Sequence, residues 1–240
     1  MKIEVFASGS AGNAYRVTLG STALLLECGI PFRQLQRRSG YTLAKAAGCL
    51  LTHEHGDHAK AVRELLAFGV PVWCSPGTAR ALDIQQTAGV RPAIPLEPFP
   101  LGQLQITPLA VRHDAAQPLG WVVDGGGERL VFLTDTAPVG YTFPGVTHLM
   151  IECNHLGPDA MGSTNAILAR RVLDNHLSLD QCLELLRRQD PARLQEIWLL
   201  HISRSHGDPA AMQQAVAAAM GRPVWIAEQM IQEEPICRTR

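Results

Sequence analysis

Aromatic residues are scarce, 5% of 240, which leaves little material for an aromatic lid or a large apolar ligand pocket. There is no charge bias either. With 21 Lys and Arg against 22 Asp and Glu, the formal net charge is −1, which excludes an overall basic field for a polyanion. Arginines do group locally, at Arg33, Arg37 and Arg38, at Arg170 and Arg171, and at Arg187, Arg188 and Arg193. They read as the wet faces of helices or as a local basic face. No apolar run approaches the roughly 18 residues that span a bilayer, so no membrane association is expected and a cytoplasmic location is the default. The six cysteines, at 28, 49, 74, 153, 182 and 237, form no C-x-x-C pair. Several lie inside apolar runs, where cysteine acts as a small core residue, and a disulfide framework is not expected. No linker, low-complexity segment or short repeat interrupts the chain, so a single domain over 1–240 is expected. At 46% hydrophobic and 18% charged, it has the material for a large core.

Hydrophobic periodicity places strands at 3–7, 14–18 and 23–27, a helix near 32–38, and a short buried strand at 48–51. A helix over 59–68, a strand at 70–74 and a helix opening at Pro76 follow, then a turn-rich stretch over 91–102. A second set has strands at 103–108, 119–123, 130–133 and 148–151, with Gly125-Gly126-Gly127 closing a hairpin. Helices at 166–175, 179–188 and 209–220 alternate with strands at 197–200 and 224–226. Two such successive sets predict an α/β fold in which two sheets pack face to face with helices outside.

The most informative segment is Thr52-His53-Glu54-His55-Gly56-Asp57-His58. Its three imidazoles and free carboxylate follow an apolar strand and precede a helical pattern. His53 and His55, two apart on extended backbone, project toward one cavity; Asp57 and His58, past a bend at Gly56, aim at a neighbouring point. Neutral imidazole suits zinc and similar ions, and carboxylate suits harder cations or completes a mixed site. The plainer alternative is a solvated His-rich turn with Asp57 as a helix cap.

Polar residues also end later apolar runs: His113 after 106–112, Asp135 after 130–134 and His201 after 197–200. One such histidine is usually structural, but repetition of the placement points to convergence on one sheet edge. The predicted assignment puts His53, His55 and His113 on one metal, Asp57, His58 and His201 on a second, with Asp135 bridging. The ions expected are two divalent cations, Zn²⁺ or Mn²⁺. A water between two such ions ionises near neutral pH and supplies a nucleophile, so no serine or cysteine is needed. Asp57 is a catalytic candidate as well as a ligand. Cys153, near the same edge, reads as packing.

The H-x-H-x-D-H signature at His53–His58 resembles that of the metallo-β-lactamase fold superfamily, and the likeness extends over nearly the whole chain. More narrowly, the chain is similar to the YycJ/WalJ-like group. The segments that carry this likeness are Ser8-Gly9-Ser10-Ala11-Gly12-Asn13, the run from His113 to Trp121, Leu133-Thr134-Asp135-Thr136, Glu152-Cys153-Asn154-His155, Asn175-His176-Leu177-Ser178 and Leu200-His201-Ile202-Ser203. The resemblance implies an αββα sandwich, a dinuclear metal centre at the sheet edges, and hydrolysis of phosphodiester bonds with exonuclease action on DNA. Glu27 stands where the family usually has Asp, Leu156 where an aspartate is common, and Asn175 where glycine is usual.

Substrate contacts are expected from Ser8, Ser10 and Asn13, in a Gly-rich turn that either cradles a phosphate or is an ordinary hairpin, and from Asn154. His155 and His176 are candidates for phosphate contact or for proton donation to the leaving oxygen. His148 and His206 read as surface or packing residues. DNA or another phosphodiester is the expected substrate, and nothing in the pattern points to a protein partner. Competing readings are a hydrolase of small esters, thioesters or lactams using the same metals, and a non-hydrolytic metal-binding or sensor protein.

Overall fold

The structure is a computed structural model that describes residues 1–230; Cys237 and the end of the expected domain lie outside the described residues. Strands β1 (Lys2–Ala7), β2 (Ala14–Leu19), β3 (Thr22–Leu26), β4 (Cys49–Leu50), β5 (Val72–Cys74) and β6 (Val90–Pro92) lie side by side in that order. The first two pairings are antiparallel and the remaining three parallel. The second sheet repeats the plan. It runs β7 (Phe99–Leu101), β8 (Leu104–Ala110), β9 (Leu119–Gly125), β10 (Glu128–Leu133), β11 (His148–Glu152), β12 (Glu196–Leu200) and β13 (Val224–Ile226). The pairings from β7 to β10 are antiparallel and those from β10 to β13 parallel.

Side-chain alternation divides the interior into three layers. In β3, Leu24 and Leu26 enter the core between the sheets while Leu25 enters the outer core of the first sheet. In β12, Trp198 and Leu200 face the other sheet while Ile197 and Leu199 face outward. Both outer faces are covered by helices. Leu35 of α1 (Phe32–Arg38) and Leu65 of α3 (Val62–Ala67) cover the first sheet. The second is covered by Leu183 and Leu186 of α6 (Leu179–Arg187) and by Met212 and Val216 of α7 (Pro209–Met220). This is the predicted αββα sandwich. The remaining helices are α2 (Gly56–Ala59), α4 (Pro76–Ala81) and α5 (Ala166–Asn175).

Two sequence expectations need correction. The stretch 91–102, read as turns, contributes the short strands β6 and β7 at the edges of the two sheets. The helix expected over 59–68 is two pieces, and the first begins at Gly56, which was read as a bend. The cause is competition for hydrogen bonds. The Asp57 carbonyl accepts from Asn13 N at 2.7 Å and the His58 carbonyl from Cys28 N at 2.9 Å, while Ala61 N donates to Cys28 O at 2.9 Å. Those groups would otherwise continue the helical ladder. Gly29 permits the approach, because a Cβ there would lie 1.7 Å from the Asp57 oxygen.

The five described cysteines are free and buried. Cys153 and Cys182 belong to the outer core of the second sheet and Cys28, Cys49 and Cys74 to that of the first. Among the described residues, no helix is long and apolar enough to cross a membrane.

Candidate metal centre and active site

Because β3, β4, β10, β11 and β12 all pair in parallel within their sheets, the residues that follow them emerge along common edges. β8 runs in the same sense as β10, being antiparallel to the β9 between them. The two edges meet directly, since Leu119 N at the start of β9 donates to Thr52 O at 3.0 Å. At the strand ends the chain turns sharply. Glu27, Asp135 and His201 have φ of 65°, 46° and 51°, left-handed geometry that costs energy in non-glycine residues and is concentrated at functional sites.

Three sets of potential ligands result, the last two sharing Asp135 and His201: His53, His55 and His113; Asp57, His58, Asp135 and His201; and Asp135, Glu152, His176 and His201. The fold thus brings together the seven residues named from the sequence as candidate ligands. Asp135 Oδ1 lies 3.3 Å from His58 Nε2 and 3.2 Å from His201 Nδ1, while Oδ2 lies 3.7 Å from His113 Nε2. One carboxylate thus faces both sets. Buried nitrogens His53 Nε2, His58 Nδ1 and His201 Nε2 have no hydrogen-bond partner among the described residues. Orphaned buried imidazole nitrogens of His53 and His201, each within a cluster of potential ligands, fit divalent cations.

Surrounding groups orient these rings. Thr52 Oγ1 contacts His53 Nδ1 at 2.9 Å, and the Asn175 carbonyl lies 3.2 Å from His113 Nδ1. Each contact engages Nδ1 and leaves Nε2 as the candidate ligand atom, the arrangement expected around a metal-ligating histidine. Glu27 is fully buried, accepts from Thr52 N at 3.3 Å, and faces His58 Nδ1 at 3.6 Å. The longer side chain therefore reaches a ligand ring from behind.

The electrostatics follow from six histidines packed around three acids. Burial and the charge of His58 push the His53 pKa well down. Burial would also lower His201, but Asp135, Asp57 and Glu152 outweigh it and raise the pKa to about 10. Burial opposes ionisation of Asp57, yet hydrogen bonds from His201 and His58 hold it well below the ordinary carboxylate range. Glu152 is likewise opposed by burial and favoured by His176 and His201, with a net pKa of about 2.

Glu152 was not among the residues singled out from the sequence as functional. Its Oε1 accepts from Thr136 N at 2.9 Å and Leu177 N at 3.0 Å, and its Oε2 pairs with His176 Nδ1 at 2.9 Å. The available signal was its position at the end of β11, the same placement as Asp135 and His201. The partner His176 lies at the C-terminal end of α5 and lines the cleft. It does not cap the next helix, where Ser178 and Gln181 form a reciprocal capping box. Burial lowers the His176 pKa, but Glu152 more than compensates and the net shift is upward.

The other named residues separate into two groups. Ser10 and Asn154 line a cleft of about 310 Å³ together with His55, Asp57, His113, Asp135, His176 and His201. Asn154 Nδ2 donates to the His201 carbonyl at 2.7 Å. Ser8 and Asn13 turn inward. Ser8 Oγ accepts from Tyr15 Oη at 2.8 Å and from His201 N at 3.1 Å, whereas Asn13 Oδ1 accepts from Gly9 N and its Nδ2 lies 3.1 Å from His58 Nε2. His155 is buried, accepts from Gly157 N at 3.1 Å, and is not part of the cleft lining. His148 sits at the other end of β11 beside Glu128 and Glu196. His206, read as surface or packing, instead lines the cleft, between Ser203 and Thr164.

A family described as "Beta-lactamase superfamily domain" matches residues 22–202. The chain is 26% identical over 222 residues to the exodeoxyribonuclease WalJ of Streptococcus pneumoniae, covering 85% of this chain and 82% of that protein. It is 25% identical over 220 residues to the exodeoxyribonuclease YycJ of Bacillus anthracis, covering 85% and 83%. Among solved structures, the metallo-β-lactamase fold protein YhfI of Bacillus subtilis superposes with TM-score 0.71 at 18% identity, over 93% of this chain and 95% of that one. The short form of human tRNase Z gives 0.66 at 16% identity, over 98% and 100%.

Proposed function

Since the chain belongs to the β-lactamase superfamily, a family of metal-binding hydrolases, we propose that it is a dinuclear-metal-dependent phosphodiesterase that acts on nucleic acid as a DNA exonuclease. The observation that carries this reading is the position of Asp135, with one oxygen toward His58 and His201 and the other toward His113. On one side His53, His55 and His113 would hold the first ion; on the other Asp57, His58 and His201 would hold the second. Two divalent ions so placed would supply a nucleophile from water and polarise the phosphoryl oxygen under attack.

The protein's own part is orientation and proton management. Glu27 and Thr52 fix His58 and His53, and Asn154 fixes the backbone of His201. His176, whose protonated form is favoured by the Glu152 carboxylate at 2.9 Å, would donate a proton to the departing sugar oxygen. A sugar alkoxide is a poor leaving group, so this proton transfer is worth roughly 10²–10⁴-fold in rate. The preference for a nucleic acid is supported by the two bacterial relatives named exodeoxyribonucleases. Among the described residues, Leu168 and Val172 are the only apolar side chains in the cleft lining, which speaks against a small-ester or lactam pocket.

The test is incubation of protein loaded with Zn²⁺ or Mn²⁺ with end-labelled single- and double-stranded DNA, bis-p-nitrophenyl phosphate and a chromogenic lactam. Release of mononucleotides, with hydrolysis of the aryl diester and not of the lactam, is expected. Turnover of the lactam alone would overturn the reading.

A further inference from the structure

The wall of the cleft that faces the ligand-bearing strand ends is α5. It presents Leu168, Arg171 and Val172 on one stripe, with His176 just past its end. None of its residues is buried. The helix is tied at its end by Asn175 and His176 and in its middle by Arg171, whose Nε donates to Asp114 Oδ2 at 2.6 Å. The other Asp114 oxygen lies 3.2 Å from His113 Nε2, so the pair sits directly beside the first ligand set.

Among the described residues, Arg171 is the only lysine or arginine that lines the cleft. A guanidinium carries five N–H groups in a planar fork. The ion pair engages Nε, and neither Nη has a hydrogen-bond partner among the described residues. With 57% of the side chain exposed, the pair contributes little to folding. What it does is hold a planar donor edge at the rim, above a floor of buried imidazoles and carboxylates. That edge matches phosphate oxygens two at a time. The scissile phosphate belongs at the floor, among the metal ligands, which leaves the rim for a different phosphate.

Resting on the phosphodiesterase reading above, we propose that Arg171 determines specificity by binding a second phosphate of the same nucleic-acid strand, next to the one being cleaved. The cleft then favours a polynucleotide over an ester with a single phosphate. Leu168 and Val172, one turn apart beside Arg171, offer an apolar surface for the intervening nucleoside.

Binding and cleavage are measured separately. Affinity for a fluorescent, phosphorothioate-stabilised oligothymidylate is followed by anisotropy over a range of salt concentrations in wild type, Arg171→Gln and Asp114→Asn. Arg171→Gln is expected to weaken binding roughly tenfold or more and to make the log Kd against log salt line shallower by about 0.7, the value of one single-strand phosphate contact. Its ratio of kcat/KM for oligothymidylate to that for bis-p-nitrophenyl phosphate falls by the same factor, mainly through KM. Asp114→Asn breaks the same ion pair but keeps the guanidinium, and is expected to retain the salt slope. Equal weakening in both variants would reassign Arg171 to a purely structural tie, and an unchanged slope in Arg171→Gln would likewise overturn the proposal. The broader reading fails by a different result, namely a wild type that binds the strand and cleaves neither phosphodiester.

Discussion

Replacing Glu152 in two ways separates its chemical from its structural part. Leucine removes the acceptor for the Thr136 and Leu177 amides, which are held at 2.9 and 3.0 Å. Two buried N–H groups left without partners cost about 1–3 kcal/mol each, a large share of the roughly 5–15 kcal/mol that holds a typical domain. In a chain of this length that lowers Tm by roughly 5–20 °C. Glutamine is different. Its Oε1 still accepts from both amides, so at neutral pH it forfeits only the part that depends on the carboxylate's charge, up to roughly 3 kcal/mol, while leucine loses the two amide bonds in addition. Its Nε2 donates to His176 Nδ1 where the carboxylate accepted, which forces a neutral imidazole with its proton on the other nitrogen. That ring is no longer an acid of useful strength. Turnover of DNA should fall roughly 10²-fold or more, with a much smaller loss on bis-p-nitrophenyl phosphate, whose leaving group departs unprotonated.

Acid titration of the metal-free protein gives a second readout. A carboxyl lowered from 4.5 to about 2 contributes stability that is present above 4.5 and lost as pH falls toward 2, up to roughly 3 kcal/mol. Glutamine should abolish that part of the acid transition. The assays are thermal melts of both variants, bound metal, and kcat on the two substrates. A Glu152→Gln protein that keeps wild-type kcat on DNA, or that loses the same factor on both substrates, would refute the reasoning.

Asp135→Ala should weaken both ions together, because its two oxygens face different ligand sets; metal analysis showing loss of only one ion would mean that it is not a bridge. His176→Ala should retain two equivalents of metal yet lose roughly 10²-fold or more in turnover of DNA, whereas full activity in the folded variant would leave the ring a structural role only. Metal uptake should release protons, since His201 with a pKa near 10 must shed one to bind an ion. Without metal, its contribution to stability is complete below about 6.5 and is lost as pH rises toward 10. Uptake without proton release at pH 7, measured by calorimetry in buffers of different ionisation enthalpy, would count against that ligand.

The sequence by itself determined the parts of the site that depend on local geometry. His53, His55, Asp57 and His58 are within six residues, so chain connectivity alone brings them to one place. His113, Asp135 and His201 were legible because each ends an apolar run, and strands that run in the same sense through one sheet deliver such ends to a shared edge. The sandwich was legible from alternation, since residues such as Leu24, Leu25 and Leu26 must enter opposite layers. Tertiary structure alone decided whatever depends on competition between distant groups. The helix over 59–68 breaks because Asn13 and Cys28 take the carbonyls of Asp57 and His58, and no window around residue 60 contains that fact. Ser8 and Asn13 read as a phosphate cradle, but Tyr15, His58 and the amide of His201 claim their polar atoms. Glu152 looked like the last residue of a buried strand until His176, 24 residues further on, supplied its partner. Arg171 read as one more exposed arginine, and only the placement of α5 across the cleft puts its guanidinium above the ligands. A side chain's local sequence sets which bonds it can make; which of them it does make is settled by whatever the fold carries within about 3 Å of it.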